Sequence, residues 1–511
     1  FKWGHEAYTQ SIEARDTIRF PASRRQLVHL RGANVRVLDV SFRDDLRLSD
    51  LPGLAAAASQ GAVLPVYIRD TDLGGEWKLG GASRWWLHHS LDRLQRDLNA
   101  LGVPLILRTG DTHTSLSQLA NEVGARQVHC SRQYQPWAAE LERTLRDRLE
   151  VQGIALKRYP GTLLHEPENI ATGSGTPFKV FTPFWRACGK APLPQQPLPI
   201  PPLSTPPRAI ASESLNDWEL LPRTPNWASG WDTMWGPGEA SASLALTKFL
   251  DNHVHNYGHG RDVPSEPNTS RLSPYLRFGN ISPRQVWHAA HNAKLFEPGH
   301  SSSIDKFLSE IGWREFCYHL LFHFPSMPND AFNSKFAYFP WGSDSQKLTA
   351  WQNGKTGYPI VDAGMRELWQ TGFMHNRVRM VVASFLTKHL LLHWREGEAW
   401  FWDCLLDADL ASNACGWQWV GGSGADASPY FRIFNPVAQG EKFDKTGLYT
   451  RQYVPELAHL PDKYLHKPWE APEAILAQAN IRLGESYPHP IVDHKTAREA
   501  ALTAFGTLKA L

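Results

Sequence analysis

"VRVLDVSFRDDLRLSDLPGLAAAASQGAVLPVYIRD", residues 35–70, decides the fold, because it holds two short apolar runs rich in β-branched residues, 35–42 and 62–70. Similar runs follow at 103–110 and 127–134. Between them, "SRWWLHHSLDRLQRDLNALG" (83–102) places apolar residues three and four apart, as an amphipathic helix does. Strands that alternate with such helices predict βαβ units and a parallel sheet. We expect an α/β domain over residues 34–165, preceded by an N-terminal extension of residues 1–33.

The rest of the chain has a different pattern. No G-x-G-x-x-G follows the first strand, so a dinucleotide site of the usual kind is not indicated. Residues 190–208, "KAPLPQQPLPIPPLSTPPR", are too rich in proline for a helix or a central strand and predict an extended connector within a linker of residues 166–240. From 241 to 511 helical periodicity dominates. We expect a Rossmann-like parallel-sheet domain, a long proline-rich linker and a larger all-α domain.

Composition excludes several classes of protein. Of the 511 residues, 42% are hydrophobic and 20% are charged, and the formal net charge of +2 gives no indication of nucleic-acid binding. No apolar run reaches about 18 residues, the length of a membrane-spanning helix. The five cysteines show no metal-like or paired spacing. The sequence therefore predicts a cytoplasmic protein with free thiols, without a membrane span and without a bound metal.

The segment "DADLASNACGWQWVGGSGADASPYFRIFNP" (407–436) places two carboxylates, Asp407 and Asp409, shortly before Asn413. Earlier, "TSRLSPYLRFGNISPR" (269–284) has hydroxyls at 269, 270 and 273 where a helix should begin. Such a helix start suits a diphosphate, although an ordinary helix cap explains it as well. The segments predict either a ligand site or local capping.

Two further groups lie on single helical faces. Glu310, Trp313 and Arg314 share one face and suit either a stacking platform for a base or a buried ion pair beside a core tryptophan. Asn376 and Arg379 repeat this spacing, and Arg379 has candidate partners in the carboxylates at 407 and 409. Core packing explains each group separately, whereas together they suit a flat heterocycle with several hydrogen-bonding edges.

Several long motifs carry a resemblance to a known family. They are "SFRDDLRLSDLPGL", which departs from the family's "WFRRDLRL-D" at Ser41 and Asp44, and "TSRLSPYL", "WREF", "KTGYPIVDA", "MHNR", "HWREGE" and "PYFRIFNP". From about residue 35 to near 470 the chain resembles the photolyase/cryptochrome family, and within it the bacterial enzymes that repair cyclobutane pyrimidine dimers. The "IGWREFCYHLLFHF" segment is similar to the bacterial subgroup called class III.

The resemblance implies a non-covalent FAD, active in its reduced anionic form, within the helical domain. By motif position, Arg379 and Asp407 pair over the flavin ring and Asn413 faces its N5. Photolyases carry asparagine at that last position, plant cryptochromes typically aspartate and insect ones cysteine, so Asn413 favours repair. The full cofactor set matched by motif is Tyr257, Thr269, Ser270, Arg271, Leu272, Ser273, Arg379, Asp407, Ala408, Asp409 and Asn413.

The same resemblance implies UV-damaged DNA as partner and light-driven electron transfer to a flipped-out cyclobutane dimer as function. Enzymes for (6-4) photoproducts carry histidine where this chain has Asn376. Arg261 and Arg377 match positions that grip the DNA backbone. The implied substrate residues are Arg261, Glu310, Trp313, Asn376, Arg377, Met380 and Trp419, and the implied catalytic residues are Asn413, Glu310, Trp417, Trp394 and Trp341.

Tryptophans 417, 394 and 341 match the family's three-residue electron chain from flavin to surface. Trp400 and Trp402 suit either a branch of this chain or core packing. The family often holds a second, antenna chromophore in the α/β domain; we expect methenyltetrahydrofolate. Where a common folate pattern has Asn-Glu, this chain has Trp137 and Ala138, so its folate ligands cannot be assigned by motif.

Three other functions stay open at this point. A cryptochrome-like blue-light receptor or a (6-4) photolyase would share the fold, and a flavin oxidoreductase would share only the cofactor. We expect a monomeric photolyase that works on DNA in the cytoplasm, associated with the nucleoid.

Overall fold

The computed structural model describes residues 37–427 and 431–509, so the predicted extension of residues 1–33 and Tyr430 lie outside the described residues. The N-terminal part is the predicted parallel sheet, with its strands in the order β3-β2-β1-β4-β5 and all neighbours parallel. The strands are β1 Val37–Phe42, β2 Ala62–Arg69, β3 Ile106–Thr109, β4 Gln127–Ser131 and β5 Ala155–Tyr159. The Rossmann-like prediction is confirmed.

Four helices connect these strands, as parallel pairing requires. Asp111 begins one of them by accepting a hydrogen bond from the main-chain N of Thr114 at 2.8 Å, and Gly124 ends it in the left-handed conformation. The longest helix buries the tryptophans at 85 and 86. The helices are α1 Pro52–Ala58, α2 Gly81–Ala100, α3 Thr112–Val123 and α4 Pro136–Val151.

The segment from 166 to 240 is only partly extended. Its proline-rich stretch, 190–208, has no regular secondary structure and follows the sheet, because the carbonyl of Leu198 accepts from the main-chain N of Asp50 at 2.8 Å. Outside that stretch the segment forms α5 Phe181–Cys188 and α6 Trp231–Met234. Trp185 of α5 packs directly against Gly312 of α11, because a Cβ at Gly312 would lie only 2.6 Å from its ring. This segment therefore also packs on the helical part.

The C-terminal part is helical, as predicted. Its helices are α7 Glu239–Asn252, α8 Tyr257–Gly260, α9 Ser273–Arg277, α10 Pro283–Phe296, α11 Ser301–His323, α12 Ser345–Gln352, α13 Pro359–Thr371, α14 Asn376–Ser384, α15 Trp394–Cys404, α16 Leu410–Gly421, α17 Pro436–Phe443, α18 Leu448–Tyr453, α19 Asp462–Leu465, α20 Glu473–Gln478 and α21 His494–Thr507. A π-helical turn, Phe385–His389, follows α14. None of the helices in the described ranges is both long enough and apolar enough to cross a lipid bilayer.

Residues 364–394 have continuous helical periodicity, yet they do not form one helix. Helix α13 ends at Gly372, whose φ of +67° is left-handed, and α14 begins after His375, which accepts from the main-chain N of Arg377 at 3.2 Å. This break gives α14 its own start at Asn376, separate from α13. The residues 376–380 therefore owe their position to a helix end that periodicity alone does not reveal.

A buried carboxylate of α11 holds the end of the sheet part against the helical part. Glu315, in the "WREF" segment, accepts from the main-chain N of Leu164 at 2.8 Å and of His165 at 3.2 Å. Its side chain is 1% exposed. Burial raises the pKa of Glu315 to about 7, because the charged form loses its water.

Glu315→Gln should flatten the pH dependence of thermal stability. The folded-state pKa of about 7 exceeds the ordinary value of 4.5, so the folded state binds the proton more tightly. The free energy of unfolding therefore falls as pH rises through this window, by up to about 3 kcal/mol at about 1.4 kcal/mol per pKa unit. We would compare melting temperatures at pH 5 and pH 8. Glu140→Gln, at an exposed position of α4, is the control. Equal pH dependence in all three proteins would contradict the assignment.

Candidate functional site

An ion pair lies at the centre of the helical part. Nη2 of Arg379, on α14, lies 2.9 Å from Oδ2 of Asp407, and its Nε donates to the carbonyl of Met374 at 2.7 Å. The Asp407 side chain is 4% exposed. Its Oδ1 is buried and has no hydrogen-bond partner among the described residues. The predicted pair is present, and one carboxylate oxygen remains available for a donor from a ligand.

The next two residues are fixed by the protein itself. Asp409 caps α16 by accepting from the main-chain N of Ser412 at 2.8 Å, and its other oxygen accepts from the Tyr318 hydroxyl at 2.5 Å. The carbonyl of Ala408 accepts from Nε of Arg277 at 2.7 Å. Of the two carboxylates that the sequence offered to Arg379, Asp407 is therefore the partner. Asp409 instead holds the start of α16 in place.

Asn413 follows on α16, one turn into the helix. Its Nδ2 donates to the carbonyl of Glu398 on α15 at 3.0 Å, which fixes the amide and leaves Oδ1 as an acceptor. The Glu398 carboxyl is 1% exposed, and neither of its oxygens has a hydrogen-bond partner among the described residues. Burial raises the pKa of Glu398 well above its ordinary value. Sequence reasoning missed this acid, because a glutamate in "HWREGE" looks like an exposed helical charge.

The hydroxyl-rich loop 269–273 leads into α9. The residue that caps α9 is Leu272, and no side chain caps it. Ser270 Oγ accepts from the main-chain N of Leu272 at 3.4 Å. The ordinary explanation by helix capping is thus wrong for Thr269 and Ser273, so their hydroxyls are available to a ligand. The loop is also strained, since Arg271 has a left-handed φ of +50°.

One aromatic ring connects this loop to the ion pair. The guanidinium of Arg271 lies 5.0 Å from the ring centre of Phe373 and 4.4 Å from that of Trp235. Arg379 lies 5.2 Å from the same Phe373 ring. The loop predicted to bind phosphates and the ion pair predicted to face the flavin ring therefore meet at Phe373. The sequence does not single out this phenylalanine, because it resembles an ordinary core residue.

These residues fit an FAD. Among the described residues, one buried carboxylate oxygen has no partner, the Asn413 amide is fixed with its oxygen free, and the loop keeps hydroxyls and an arginine that do not cap α9. These groups offer the donors and acceptors that a flavin ring and a diphosphate require. The residues that would hold the group are the predicted ones, Thr269–Ser273, Arg379, Asp407 and Asn413.

The arginines predicted to bind DNA are themselves paired. Nη1 of Arg261 lies 2.5 Å from Oε1 of Glu310, and its guanidinium lies over the Tyr257 ring at 5.3 Å. Nη2 of Arg377 lies 2.9 Å from Oδ1 of Asp262. Tyr257 is 7% exposed and contacts the site through Arg261. These four charged residues form two partly buried ion pairs, between the end of α8 and α11 and between the end of α8 and the start of α14.

The remaining predicted substrate residues have open faces. Trp313 stacks on Phe181 with ring centres 3.9 Å apart and remains half-buried. Asn376 is the exposed first residue of α14, and Met380 is half-buried one turn later, 3.8 Å from Nη1 of Arg377. Trp419, on α16, is also half-buried. Two indoles and an exposed amide thus lie on three different helices.

Arg314 is directed away from this group. It donates to the carbonyl of Thr162 at 2.8 Å and lies over the Tyr318 ring at 4.7 Å. The proposed platform of Glu310, Trp313 and Arg314 is therefore wrong for its third member, because the arginine joins the helical part to the end of the sheet part.

Two tryptophans of the predicted electron chain, Trp394 and Trp417, lie on the consecutive helices α15 and α16, and Trp341 lies in the loop before α12. Trp417 is 2% exposed and packs on Phe401 at 4.9 Å. A Cβ on Gly397 would lie 2.0 Å from its Cη2, so only glycine admits this indole against α15. Trp394 is 1% exposed and contacts His393 at 5.5 Å, and His393 contacts half-buried Trp341 at 5.1 Å.

The two other tryptophans of α15 have separate neighbours. Trp400 stacks on Trp369 with ring centres 6.1 Å apart, and Trp369 is 52% exposed. Trp402 donates to the carbonyl of Lys78 at 2.8 Å and meets Trp77 edge-on at 5.4 Å. Trp400 therefore forms a stacked pair with an exposed indole, whereas Trp402 joins α15 to the sheet part.

A cavity of about 500 Å³ lies beside Trp77. The loop after β2, the start of α4 and the helical part form its wall: Asp72, Leu73, Gly74, Gly75, Glu76, Trp77, Pro136, Trp137, Pro325, Pro328, Asn329 and Leu410. Trp137, which stands where the common folate pattern has asparagine, lines this cavity. Ala138 is completely buried and does not.

Comparison with known proteins agrees with this geometry. Residues 40–203 match the model of the DNA photolyase domain, and residues 307–507 match that of the FAD binding domain of DNA photolyase. The chain is 51% identical over 472 residues to a deoxyribodipyrimidine photo-lyase of Agrobacterium fabrum, covering 92% of this chain and 98% of the relative. It is 39% identical to cryptochrome-2 of Arabidopsis thaliana, covering 90% and 77%.

Solved structures give the same result. The crystal structure of a bacterial class III photolyase from Agrobacterium tumefaciens superimposes with a TM-score of 0.91 at 49% identity, covering 95% of this chain and all of the other. A buried ion pair with an open acceptor, an asparagine beside it and a flavin-binding domain model over the same helices converge on one answer. This chain belongs to the DNA photolyase family.

Proposed function

We propose that this protein repairs cyclobutane pyrimidine dimers in DNA, driven by light. Reduced FAD, when bound and excited, supplies the electron that opens the two cyclobutane bonds and accepts it back, so no net redox change occurs. The protein's own residues bind this cofactor, extrude the damaged bases and hold both in contact. Its relatives include enzymes named deoxyribodipyrimidine photo-lyase at 51% and 38% identity.

The Arg379–Asp407 pair is the observation that carries this proposal. The buried Oδ1 of Asp407, which has no hydrogen-bond partner in the part of the chain that the structure describes, suits the N–H of a flavin's pyrimidine edge. The Arg379 guanidinium adds positive charge beside the ring. Positive charge near a flavin stabilises its reduced anionic form. Asn413 is neutral and its Nδ2 is occupied by Glu398, so its Oδ1 suits a protonated ring nitrogen. This set favours an enzyme that works with reduced flavin.

Substrate binding is proposed to use the open faces of Trp313 and Trp419. Extrusion of a base from duplex DNA costs a few kcal/mol, and less at a damaged, poorly stacked site. Stacking on an aromatic side chain offsets this by about 1–3 kcal/mol per base. Arg261 and Arg377 would bind phosphates. Because both are already ion-paired, phosphate binding has to compete with Glu310 and Asp262.

Asn376→His should lower the rate of cyclobutane-dimer repair while leaving FAD content unchanged. The position is exposed at the start of α14, so the fold tolerates the change, whereas a larger ring alters the shape and hydrogen bonding of the pocket. We would illuminate reduced enzyme with an oligonucleotide carrying one thymine dimer and quantify intact thymines, in light and in darkness. A matched oligonucleotide with a (6-4) photoproduct tests lesion choice.

Three outcomes would count against the proposal. Wild-type repair of neither lesion, with flavin bound, would favour a light receptor. Repair of the (6-4) lesion alone would reassign the substrate. Unchanged dimer repair by the histidine variant would remove Asn376 from the pocket.

The electron chain from Trp417 through Trp394 to Trp341 is proposed to reduce oxidised flavin in light. Gly397→Ala should slow this photoreduction, because its Cβ would lie 2.0 Å from Cη2 of Trp417 and must displace the indole. Overpacking of this kind costs about 1–3 kcal/mol. The matched control is Gly416→Ala, where a Cβ meets nothing within 4 Å. Dimer repair by chemically reduced enzyme should survive in both variants. Equal photoreduction rates would contradict the role of Trp417.

We also propose that the cavity at Trp77 and Trp137 holds the antenna chromophore, with methenyltetrahydrofolate as the candidate. Its volume of about 500 Å³ suits a molecule of that size. The two indoles offer aromatic faces, and Asp72 and Glu76 offer acceptors for the amino groups of a pterin.

Trp137→Ala should abolish near-UV absorbance of bound methenyltetrahydrofolate after reconstitution, with FAD retained. The control is Trp287→Ala, whose indole stacks on His291 in α10, away from this cavity. Folate binding equal to wild type in the Trp137 variant would exclude the cavity as the antenna site.

A further inference from the structure

Arg277 connects the two parts of the molecule at the proposed flavin edge. It is the last residue of α9, and its side chain is 6% exposed. Its Nε donates to the carbonyl of Ala408 at 2.7 Å, between the two aspartates of the site. Its Nη1 lies 2.8 Å from Oδ1 of Asp44, in the segment that follows β1.

Asp44 lies just beyond the carboxyl end of β1. The strands β1 and β4 are neighbours, yet the chain leaves them toward opposite edges, so the crevice at their carboxyl ends is the topological switch point of the sheet. There Asp44 Oδ2 also accepts from Nε2 of Gln133 at 3.3 Å and of Gln135 at 3.4 Å, both from the loop after β4. The crevice that usually receives a ligand thus receives the Arg277 guanidinium.

Two further polar groups surround this guanidinium. Asp409 and Tyr318 are among the groups that interact electrostatically with Arg277, and the tyrosine hydroxyl donates to Asp409 at 2.5 Å. Together with Asp44, these groups raise the pKa of Arg277 above its ordinary value despite its burial. The charge of Arg277 is therefore permanent and is shared between a carboxylate of the sheet part and one beside the proposed flavin.

We propose that Asp44 is a positioning residue for the flavin edge: it holds Arg277, which holds the carbonyl of Ala408 and so the segment that carries Asp407 and Asp409. The inference rests on the proposed FAD site. It also gives a meaning to a departure from the family motif, since "WFRRDLRL-D" has arginine at this position. An arginine there would repel Arg277 and could not form this pair.

The charge balance predicts the direction of the effect. Without the Asp44 carboxylate, Arg277 keeps its positive charge, and that charge is no longer partly neutralised from the sheet part. Its electrostatic effect on Asp409 therefore increases. The field at the flavin edge then becomes more positive, which favours the reduced anionic cofactor. Asp44→Asn should therefore shift the reduction potential of bound FAD upward, while its amide can still contact the two glutamines. Asp44→Glu, which keeps the charge, should restore the potential toward that of wild type.

The experiment measures the flavin reduction potential, FAD content and melting temperature of the holoenzymes. Asp97→Asn removes an equal charge from the surface of α2, where its only described ion-pair partner is Arg93, and is the matched control. We expect a raised reduction potential in Asp44→Asn and an unchanged one in Asp97→Asn. When Asp44→Asn is added to Arg277→Gln, the potential should stay that of the Arg277→Gln variant.

Each other result has one meaning. A potential equal to wild type in Asp44→Asn, with FAD bound, overturns the inference and leaves the proposed function intact. Independent, additive shifts from the two substitutions overturn the relay through Arg277. Absence of FAD from the wild-type protein after reconstitution would instead refute the proposed function on which the inference rests.

Discussion

The ion pair of the buried Asp50 carboxylate is the interaction on which the packing of the sheet part against the helical part depends. The Asp50 side chain is completely buried, and its backbone has a left-handed φ of +49°. Oδ1 lies 2.7 Å from Nη2 of Arg284, and Oδ2 accepts from the Ser282 hydroxyl. Removal of one partner from a buried pair typically costs about 3–5 kcal/mol, because the other charge stays without compensation. This pair joins the segment after β1 to the start of α10.

Around that pair, the two segments bind each other through the main chain. The N of Leu46 donates to the carbonyl of Phe278 at 3.0 Å, and Arg47 donates to the carbonyl of Gly279 at 3.0 Å. At Gly279, with a φ of +62°, a Cβ would lie 2.3 Å from the carbonyl of Asp44, so the approach requires glycine. The position of α9, and with it of the loop 269–273 and Arg277, follows from this contact. The flavin site is thus built on a surface that the sheet part supplies.

Sequence reasoning reached the fold and much of the site for identifiable reasons. Apolar residues recur with the period of a strand or of a helix in turn along residues 34–165, so the sequence predicts the parallel sheet directly. The Arg379–Asp407 pair was predictable because a charged residue in an apolar helix needs a partner. Asp409 was harder, since its partner Tyr318 lies far away in sequence and reads as core. Glu398 and Phe373 were missed because burial, not residue type, gives them a role.

Other differences came from residues whose meaning depends on a neighbour. Arg314 has the spacing of a site residue, but its carbonyl partner lies at the end of the sheet part. Trp137 departs from a folate motif and yet lines the cavity that suits such a chromophore. Asp44 departs from the family's opening motif, and only its contact with Arg277 shows why an acid can stand there. A residue that departs from a motif can therefore make a different set of contacts in the same place. Motif spacing alone does not distinguish this case from the loss of a binding site.

We propose that a reduced flavin between Arg379 and Asn413 lies within electron-transfer distance of a lesion held by Trp313 and Trp419. The most direct test is the fluorescence lifetime of the reduced flavin in the reconstituted protein, with a duplex that carries one cyclobutane thymine dimer and with the same duplex undamaged. We expect a shorter lifetime with the damaged duplex only, because the dimer accepts the electron. Equal lifetimes with both duplexes bound would contradict it.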